Sequence, residues 1–182
     1  MDKFISDEVC KDVIDNPPPK VLSIHYTGPN IHITPGMVVT PTQVKDKPHV
    51  SFEADPNAFY TLIMHDPDAP SRKNPKFGEY HHWMVVNIPG GDVSKGEEVT
   101  GYMGSGAPKD TGLHRYVFLV YKQPEKKDFK LPKIPANHSK GRPKQKVRDY
   151  VSKMGLEELV AGNFFLAEYD DYVPQLYKSL VD

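Results

Sequence analysis

The sequence predicts a single, mainly β domain in which antiparallel strands are joined by long loops and accompanied by a few short helices. Short runs of β-branched and aromatic residues recur along the chain, most of them between Pro, Gly, Asn or Asp. The 18 prolines and 13 glycines interrupt any long helical pattern. A length of 182 residues suits one domain, so we assign residues 1–182 to one unit.

The first element is a short N-terminal helix. We expect Ser6 to cap it, Asp7 and Glu8 to lie in its first turn, and the prolines at 17–19 to end it. Six strands are predicted after it, each a run of strand-forming residues between turn residues. They cover residues 21–26, 37–40, 50–52, 60–65, 82–88 and 116–121.

The last third of the chain begins with a helical pattern, in which apolar residues recur at the spacing of one helix face and Gly155 suits the helix end. These apolar residues are Val147, Tyr150, Val151 and Met154. A further strand is predicted at 164–169, and we expect Asp170 or Asp171 to cap a final helix. That helix carries Val173, Leu176, Tyr177 and Leu180.

The composition excludes several classes of function. The 23 basic and 24 acidic side chains leave a formal charge of -1, which argues against a nucleic-acid partner. Cys10 is the single cysteine, so a disulfide within the chain is excluded. The sequence shows neither the apolar run of a signal peptide nor that of a membrane span, and we therefore expect a cytoplasmic protein.

One segment is strongly basic although the whole chain is nearly neutral. Residues 122–148 contain ten Lys or Arg against Glu125 and Asp128. A solvated loop face is the simpler interpretation, because lysines usually lie on loops. The alternative is a surface that attracts acidic partners or anionic lipid headgroups, which makes peripheral membrane contact a further expectation.

Residues suited to ligand binding gather at three junctions between loops and strands. These junctions are 65–72, 79–83 and 104–116. Because side chains alternate along a strand, His114 and Tyr116 share one face, and His82 faces away from His81. If the three strands are neighbours, one pocket gathers Asp66, His82, His114 and Tyr116. Charged imidazoles and Tyr hydroxyls donate to phosphate oxygens, so this set suits a small anion.

Two catalytic alternatives are open at these residues. His65, Asp66 and His82 can form a two-histidine, one-carboxylate metal site, although their spacing does not require one. Ser105 near His114 is the candidate for a serine hydrolase, but Gly-Ser-Gly lacks the Gly-x-Ser-x-Gly elbow. Non-catalytic binding without a metal or cofactor is the favoured interpretation, and a serine- or metal-dependent hydrolase is the alternative.

The motifs at these junctions resemble the phosphatidylethanolamine-binding protein family, which includes the Raf kinase inhibitor proteins. The resemblance rests on Asp-Pro-Asp-Ala-Pro-Ser-Arg at 66–72 and Gly-Leu-His-Arg-Tyr at 112–116, whose order is highly specific to the family. Further matching stretches are 40–44, 60–62, 81–83, 104–106 and 167–174. Two positions depart from the pattern, since many relatives have Trp in place of Tyr80 and Pro in place of Ala107.

The resemblance implies a β-sandwich-like core of antiparallel strands with peripheral helices, of which the C-terminal ones lie beside a small anion-binding pocket. In this chain the pocket would comprise Asp66, Pro70, Tyr80, His82, Gly106, Pro108, His114, Tyr116 and Tyr177. The implied ligands are a phosphorylated small molecule, a phosphorylated peptide or the headgroup of phosphatidylethanolamine. The implied protein partners are a kinase or a protease, which a monomer of this kind would modulate or inhibit without turning over a substrate.

Overall fold

The computed structural model describes residues 1–156 and 158–181. Within these residues the chain forms nine strands and four α-helices, so the mainly β class is confirmed. The strands are β1 (Ser23–Tyr26), β2 (Ile31–His32), β3 (Met37–Val38), β4 (His49–Ser51), β5 (Phe59–Asp66), β6 (Tyr80–Pro89), β7 (Glu97–Thr100), β8 (His114–Lys122) and β9 (Glu158–Ala167). The helices are α1 (Asp2–Ser6), α2 (Val9–Asp12), α3 (Val147–Met154) and α4 (Val173–Ser179).

The strands form two sheets. The larger sheet has six strands in the order β3-β9-β8-β5-β6-β7, and the smaller has three strands in the order β2-β1-β4. Neighbouring strands are antiparallel except β3 and β9, which run parallel. The predicted antiparallel pairing is therefore confirmed for every pair of strands but this one.

The side chains of β8 show how the layers pack, because they alternate between two hydrophobic cores. Tyr116 and Phe118 pack between the two sheets, in a core that also contains Ile24 of the smaller sheet. Val117 and Leu119 point to the other face of the larger sheet, where residues of α1, α2 and α3 cover them. Each core thus follows the two-residue period of a strand. The architecture is a sandwich of two sheets with helices on the outer face of the larger one.

The N-terminal helix differs from the prediction. Ser6 ends α1 instead of capping a helix, and Glu8, whose backbone is left-handed at φ 59°, separates α1 from α2. Phe4 in α1 is fully buried, and its ring meets the edge of the Phe164 ring at 5.0 Å between centroids. The buried contact of Phe4 with the sheet therefore determines where this helix lies.

The C-terminal elements also differ in their limits. The strand predicted at 164–169 is β9, whose described residues pair with β8 from Glu158 to Ala167. Helix α4 begins at Val173, and its N-cap residue Tyr172 makes no side-chain capping bond. Oδ1 of Asp170 accepts from the amide of Tyr172 at 3.0 Å, so Asp170 caps the turn that leads into α4. Oδ2 of Asp170 accepts hydrogen bonds from the amide and hydroxyl of Thr42, which ties the C-terminal segment to a loop after β3.

Two strands have no counterpart in the prediction, and one helix agrees with it closely. Strand β2 has only two residues, and β7 starts with two exposed glutamates, so neither has a strong strand pattern. Helix α3 confirms the predicted helix at 147–154, and Gly155 ends it in the left-handed region at φ 67°. Across the described parts of the chain, no helix combines the length and the apolar character needed to span a membrane.

One end of the larger sheet brings the predicted ligand-binding residues together. Asp66 ends β5 and pairs directly with Tyr80, the first residue of β6. On the other side of β5, His65 pairs with Val117, so β8 begins with His114 at the same end of the sheet. Three adjacent strands therefore present polar side chains to one cluster of loops.

Candidate functional site

All nine residues predicted to bind a ligand line one cavity of about 260 Å³, called the small cavity below. The strands supply Asp66, Tyr80, His82, His114 and Tyr116, the loops supply Pro70, Gly106 and Pro108, and α4 supplies Tyr177. Drug-sized ligands usually occupy cavities of about 300–1,000 Å³. The small cavity therefore suits a ligand no larger than a lipid headgroup.

Eight further residues line the small cavity that were not among the nine predicted ligand-binding residues, although Ala69, Gly104 and Ala107 lie in the junctions singled out from the sequence. They are Ala69, Phe77, Met103, Gly104, Ala107, Pro143, Leu176 and Leu180. The spacing of Leu176 and Leu180 by four residues was the available signal for a shared helix face. Phe77 and Pro143 reach the cavity from loops, for which the sequence carries no comparable signal.

Asp66 and His114 form a buried pair in the small cavity. Nδ1 of His114 lies 2.8 Å from Oδ2 of Asp66, and Nε2 lies 2.9 Å from Oγ1 of Thr111. Thr111 donates its single hydroxyl proton to the carbonyl oxygen of Pro108 at 2.7 Å, so Nε2 of His114 is the donor to Thr111. The other carboxylate oxygen of Asp66 accepts from the amide of Asp68 at 2.7 Å. Both ring nitrogens of His114 are thus engaged within the protein.

The pKa values of this pair show how it shares a proton. Burial lowers the pKa of His114, but the hydrogen bond and charge of Asp66 outweigh burial, so the pKa is raised above its usual value. Burial raises the pKa of Asp66, and the contact with His114 offsets part of that rise. Below the raised pKa of His114, one proton is therefore held between Nδ1 and Oδ2, and the pair as a whole has no net charge.

His82 is a neutral hydrogen-bond acceptor in the small cavity. Its Nδ1–H donates to the carbonyl oxygen of Met103 at 2.7 Å, while Nε2 has no hydrogen-bond partner among the described residues. Burial lowers the pKa of His82 to about 3, although the bond to Met103 opposes this effect. The expectation that charged imidazoles donate to a phosphate is therefore wrong for His82. A ligand that brings its own proton finds an unused lone pair on Nε2.

Two tyrosine hydroxyls meet at the backbone of Gly106. Burial raises the pKa of Tyr116 well above its usual value, and the nearby backbone of Gly106 offsets part of that rise. Tyr177 donates to the carbonyl oxygen of Gly106 at 2.5 Å, which joins α4 to the loop. A Cβ on residue 106 would lie 2.7 Å from Cδ2 of Leu176, so any larger residue there would have to displace the Leu176 side chain. The proton of the Tyr116 hydroxyl can be donated to a ligand.

The small cavity offers hydrogen bonds without a net positive charge. Among its described lining residues there is neither lysine nor arginine. The Asp66–His114 pair carries no net positive charge whether or not it holds its shared proton, His82 is neutral, and Tyr116 is protonated. Such a site favours a ligand of low charge, because a desolvated dianion would lack counter-charges.

The residues of the alternative metal site, His65, Asp66 and His82, do not come together in the structure. His65 lies on the opposite face of the sheet, where its Nδ1 is 2.9 Å from Glu79 and its Nε2 is 2.8 Å from His81. It therefore does not meet Asp66 and His82 in the small cavity. The described residues contain no group of three His, Cys, Asp or Glu side chains arranged to hold a metal ion.

The serine alternative lacks its nucleophile–base pair. Oγ of Ser105 is buried and has no hydrogen-bond partner in the described parts of the chain. His114, the base that this alternative needs, uses its two ring nitrogens on Asp66 and Thr111. The hydroxyl of Ser105 is therefore not activated by His114.

Known proteins share both the sequence and the fold described above. A family model described as phosphatidylethanolamine-binding protein matches residues 27–165. A Drosophila melanogaster relative named odorant-binding protein A5 is 41% identical over 173 residues, which are 95% of this chain and 82% of that protein. The solution structure of CG7054 is 44% identical, with a TM-score of 0.78 and coverage of 97% of this chain and 99% of its own. A carboxypeptidase Y inhibitor, crystallised with its cognate proteinase, is 28% identical, with a TM-score of 0.78 and coverage of 93% and 94%. The chain therefore belongs to the phosphatidylethanolamine-binding protein family.

Proposed function

We propose that the protein binds small phosphate-bearing molecules, or the phosphate headgroup of a lipid, in the small cavity and releases them unchanged. One observation carries this proposal: the unused acceptor of His82 and the protonated hydroxyl of Tyr116 lie in the same cavity of about 260 Å³. A phosphate monoanion matches this pair, because its P–OH group donates to Nε2 of His82 and its other oxygens accept from Tyr116. Membership of the phosphatidylethanolamine-binding protein family supports the same ligand class.

The ligand, and not His82, carries the proton in this mode of binding. Protonating His82 at pH 7 costs roughly 5 kcal/mol, because its pKa is about 3 and each unit is equivalent to about 1.36 kcal/mol. Protonating a phosphate monoester dianion at the same pH costs only about 1.4 kcal/mol, because its second pKa is about 6. The monoanion is therefore the form that we expect the small cavity to select.

A phosphoethanolamine ligand adds an ammonium group, for which the aromatic lining is suitable. Tyr80 and Tyr177 line the cavity, and Tyr177 is 46% exposed to solvent. An ammonium over a tyrosine ring gains about 0.5–1 kcal/mol at an exposed site. This contribution is small, so the phosphate contacts are expected to dominate the affinity.

Calorimetric titration with phosphoethanolamine tests the proposal. We expect binding by the wild type, and roughly tenfold weaker binding by His82→Ala, because a hydrogen bond to a charged ligand contributes about 1.5–3 kcal/mol. His49→Ala is the matched control, since His49 is an exposed histidine on β4 and does not line the small cavity. The absence of binding by the wild type at millimolar phosphoethanolamine contradicts the proposal.

We further propose inhibition of a proteinase as a second function, supported by the similarity to the carboxypeptidase Y inhibitor that was crystallised with its cognate proteinase. Hydrolysis by carboxypeptidase Y is measured with and without a hundredfold molar excess of this protein, and an unchanged rate contradicts the idea for that enzyme. Modulation of a signalling kinase, proposed from family membership alone, is tested in the same format with a Raf kinase.

A further inference from the structure

A second cavity, of about 640 Å³, lies on the opposite face of the larger sheet and shares no described lining residue with the small cavity. Strands β6 and β7 form its floor, and residues 131–141 and helix α3 form its walls. We call it the sheet–helix groove. We propose that the sheet–helix groove binds a small amphipathic carboxylate, which is a molecule with an apolar body and one negative charge.

The floor of the groove is formed by apolar side chains and by a polar pair with its hydrogen bonds made. Met84 and Val99 are buried and line the groove. Beside them, Nε2 of His81 lies 2.7 Å from Oγ1 of Thr100, and Nδ1 lies 2.8 Å from Nε2 of His65. Burial lowers the pKa of His81 well below its usual value, so the ring is neutral. The floor therefore favours contact with an apolar group.

The loop wall is held in place by backbone hydrogen bonds. The N–H of Ile134 donates to the carbonyl oxygen of Val99 at 2.9 Å, and its own carbonyl accepts from the N–H of Gly101 at 2.8 Å. The buried guanidinium of Arg142 donates to the carbonyl oxygens of Gly101 and Pro135, each at 3.0 Å. Because these walls are already ordered, ligand binding costs little conformational entropy of the protein, which favours binding.

The helix wall presents an aromatic face. The ring of Tyr150 packs against the ring of His81 with 5.1 Å between their centroids. Its hydroxyl donates to Oε1 of Gln145 at 3.2 Å. The ring packing and the hydroxyl hydrogen bond therefore hold the Tyr150 side chain in one orientation, and its ring adds to the apolar lining of the groove.

The charges around the groove are mostly positive. Three exposed lysines, Lys133, Lys140 and Lys153, line it against one carboxylate, that of Asp149. Lys133 has an exposed ion pair with Glu97 at 3.4 Å, whereas Lys153 has no ion pair with any described residue. Exposed pairs are weak, so a ligand carboxylate can compete for these lysines. Charge complementarity therefore selects an anion and not a cation.

The volume of the groove indicates the size of the ligand. Small-molecule sites usually measure about 300–1,000 Å³ and are mostly apolar, with a few polar groups that orient the ligand. The groove, at about 640 Å³, falls within this range. A folded partner protein would instead need a contact surface of about 1,000 Å² or more. The groove also gives a specific role to part of the basic segment 122–148.

Methyl NMR distinguishes the two cavities, because each contains one methionine. Met84 lies in the floor of the groove, and Met103 lines the small cavity. Protein labelled with carbon-13 at the methionine methyls is titrated with decanoate and with decanol, an uncharged molecule of the same length. Met84→Leu assigns the reporting signal. We expect decanoate to shift the Met84 signal saturably while leaving Met103 unchanged, and decanol to bind more weakly.

A charge reversal tests the role of the lysines. Lys153→Glu is expected to fold, because Lys153 is exposed, and to weaken decanoate binding about fivefold or more. The same variant is expected to change decanol binding less than twofold. Lys73→Glu is the matched control, since this exposed lysine does not line the groove and should leave both affinities unchanged.

Three results would each overturn the inference. They are no saturable shift of Met84 with millimolar decanoate, equal affinities for decanoate and decanol, or the same decanoate affinity in Lys153→Glu and Lys73→Glu. Titration with phosphoethanolamine in the same samples reports on Met103. Failure of ligand binding in the small cavity is thereby distinguished from failure in the groove.

Discussion

Lowering the pH from 8 to 5.5 is expected to strengthen the binding of a phosphate monoester far more than the binding of a phosphate diester. His82 is the reason, because its pKa of about 3 keeps Nε2 an unprotonated acceptor over this whole range. A monoester such as methyl phosphate takes up a proton with a pKa of about 6 and can then donate to Nε2. A diester such as dimethyl phosphate has no proton to take up in this range.

The size of the effect follows from the fraction of monoanion. For a pKa of about 6, the monoanionic fraction of the monoester rises from about 1% at pH 8 to about 75% at pH 5.5. If the monoanion alone binds, the apparent affinity rises about 75-fold, which is equivalent to about 2.5 kcal/mol. His114 adds a contribution from the protein, because its pKa is raised by Asp66 and its proton is lost as the pH rises through that raised value. The diester measures this protein contribution alone.

The assay is calorimetric titration of both esters at pH 8, 7, 6 and 5.5 and constant ionic strength. We expect the ratio of monoester to diester affinity to rise about 75-fold over this range. His82→Phe keeps an aromatic ring but removes the acceptor, and it is expected to reduce the rise in this ratio. The same pH dependence for both esters would refute the reasoning, because it would place the titrating proton on the protein and not on the ligand.

Three further substitutions test the packing around the cavities. His114→Leu leaves Asp66 buried without its partner, and we expect it to lower the free energy of unfolding by about 3–5 kcal/mol at pH 6. Because the folded-state pKa of His114 is raised, this loss of stability diminishes as the pH rises through that pKa. Urea unfolding at pH 6 and at pH 9 measures the loss. An equal loss at both pH values contradicts the raised pKa of His114. Gly106→Ala places a methyl group 2.7 Å from Cδ2 of Leu176 and is expected to lower the melting temperature. Adding Leu176→Ala is expected to restore part of the melting temperature, and no recovery would show that the strain does not come from Leu176. Arg142→Met leaves buried carbonyl oxygens without donors, so we expect the free energy of unfolding to fall by about 3 kcal/mol or more. We also expect faster hydrogen exchange in residues 131–141. Unchanged exchange there would disprove that Arg142 anchors this loop.

The strand pattern in the sequence predicted four of the nine candidate site residues, on the condition that three strands are neighbours, and the family resemblance supplied the other five. Alternation along one strand places His114 and Tyr116 on the same face, and both line the small cavity. Tyr177 entered only through the resemblance to a family. Its hydrogen bond to Gly106 joins residues 71 positions apart, and no local pattern indicates such a contact.

Other features depend on tertiary contacts that outweigh local preferences. A capping residue such as Ser6 contributes about 1 kcal/mol, whereas burying a side chain of the size of Phe4 contributes about 1.5–3 kcal/mol. The helix therefore lies where Phe4 is buried, and Ser6 is left at its end. The neutral state of His82 is similar, since it results from burial, which outweighs the opposing effect of the hydrogen bond to the carbonyl oxygen of Met103, 21 positions away.

Two adjacent histidines on β6 belong to different cavities, and their shared backbone connects the two sites. Because side chains alternate along a strand, His82 lines the small cavity while His81 lines the sheet–helix groove. Arg142 donates to the carbonyl oxygens of His81 and His82, at 3.1 Å and 3.0 Å, and so fixes the backbone of both. No described residue lines both cavities, so a side-chain change at either histidine alters the lining of one cavity only. Loss of the Arg142 guanidinium is therefore expected to disturb the backbone support of both cavities.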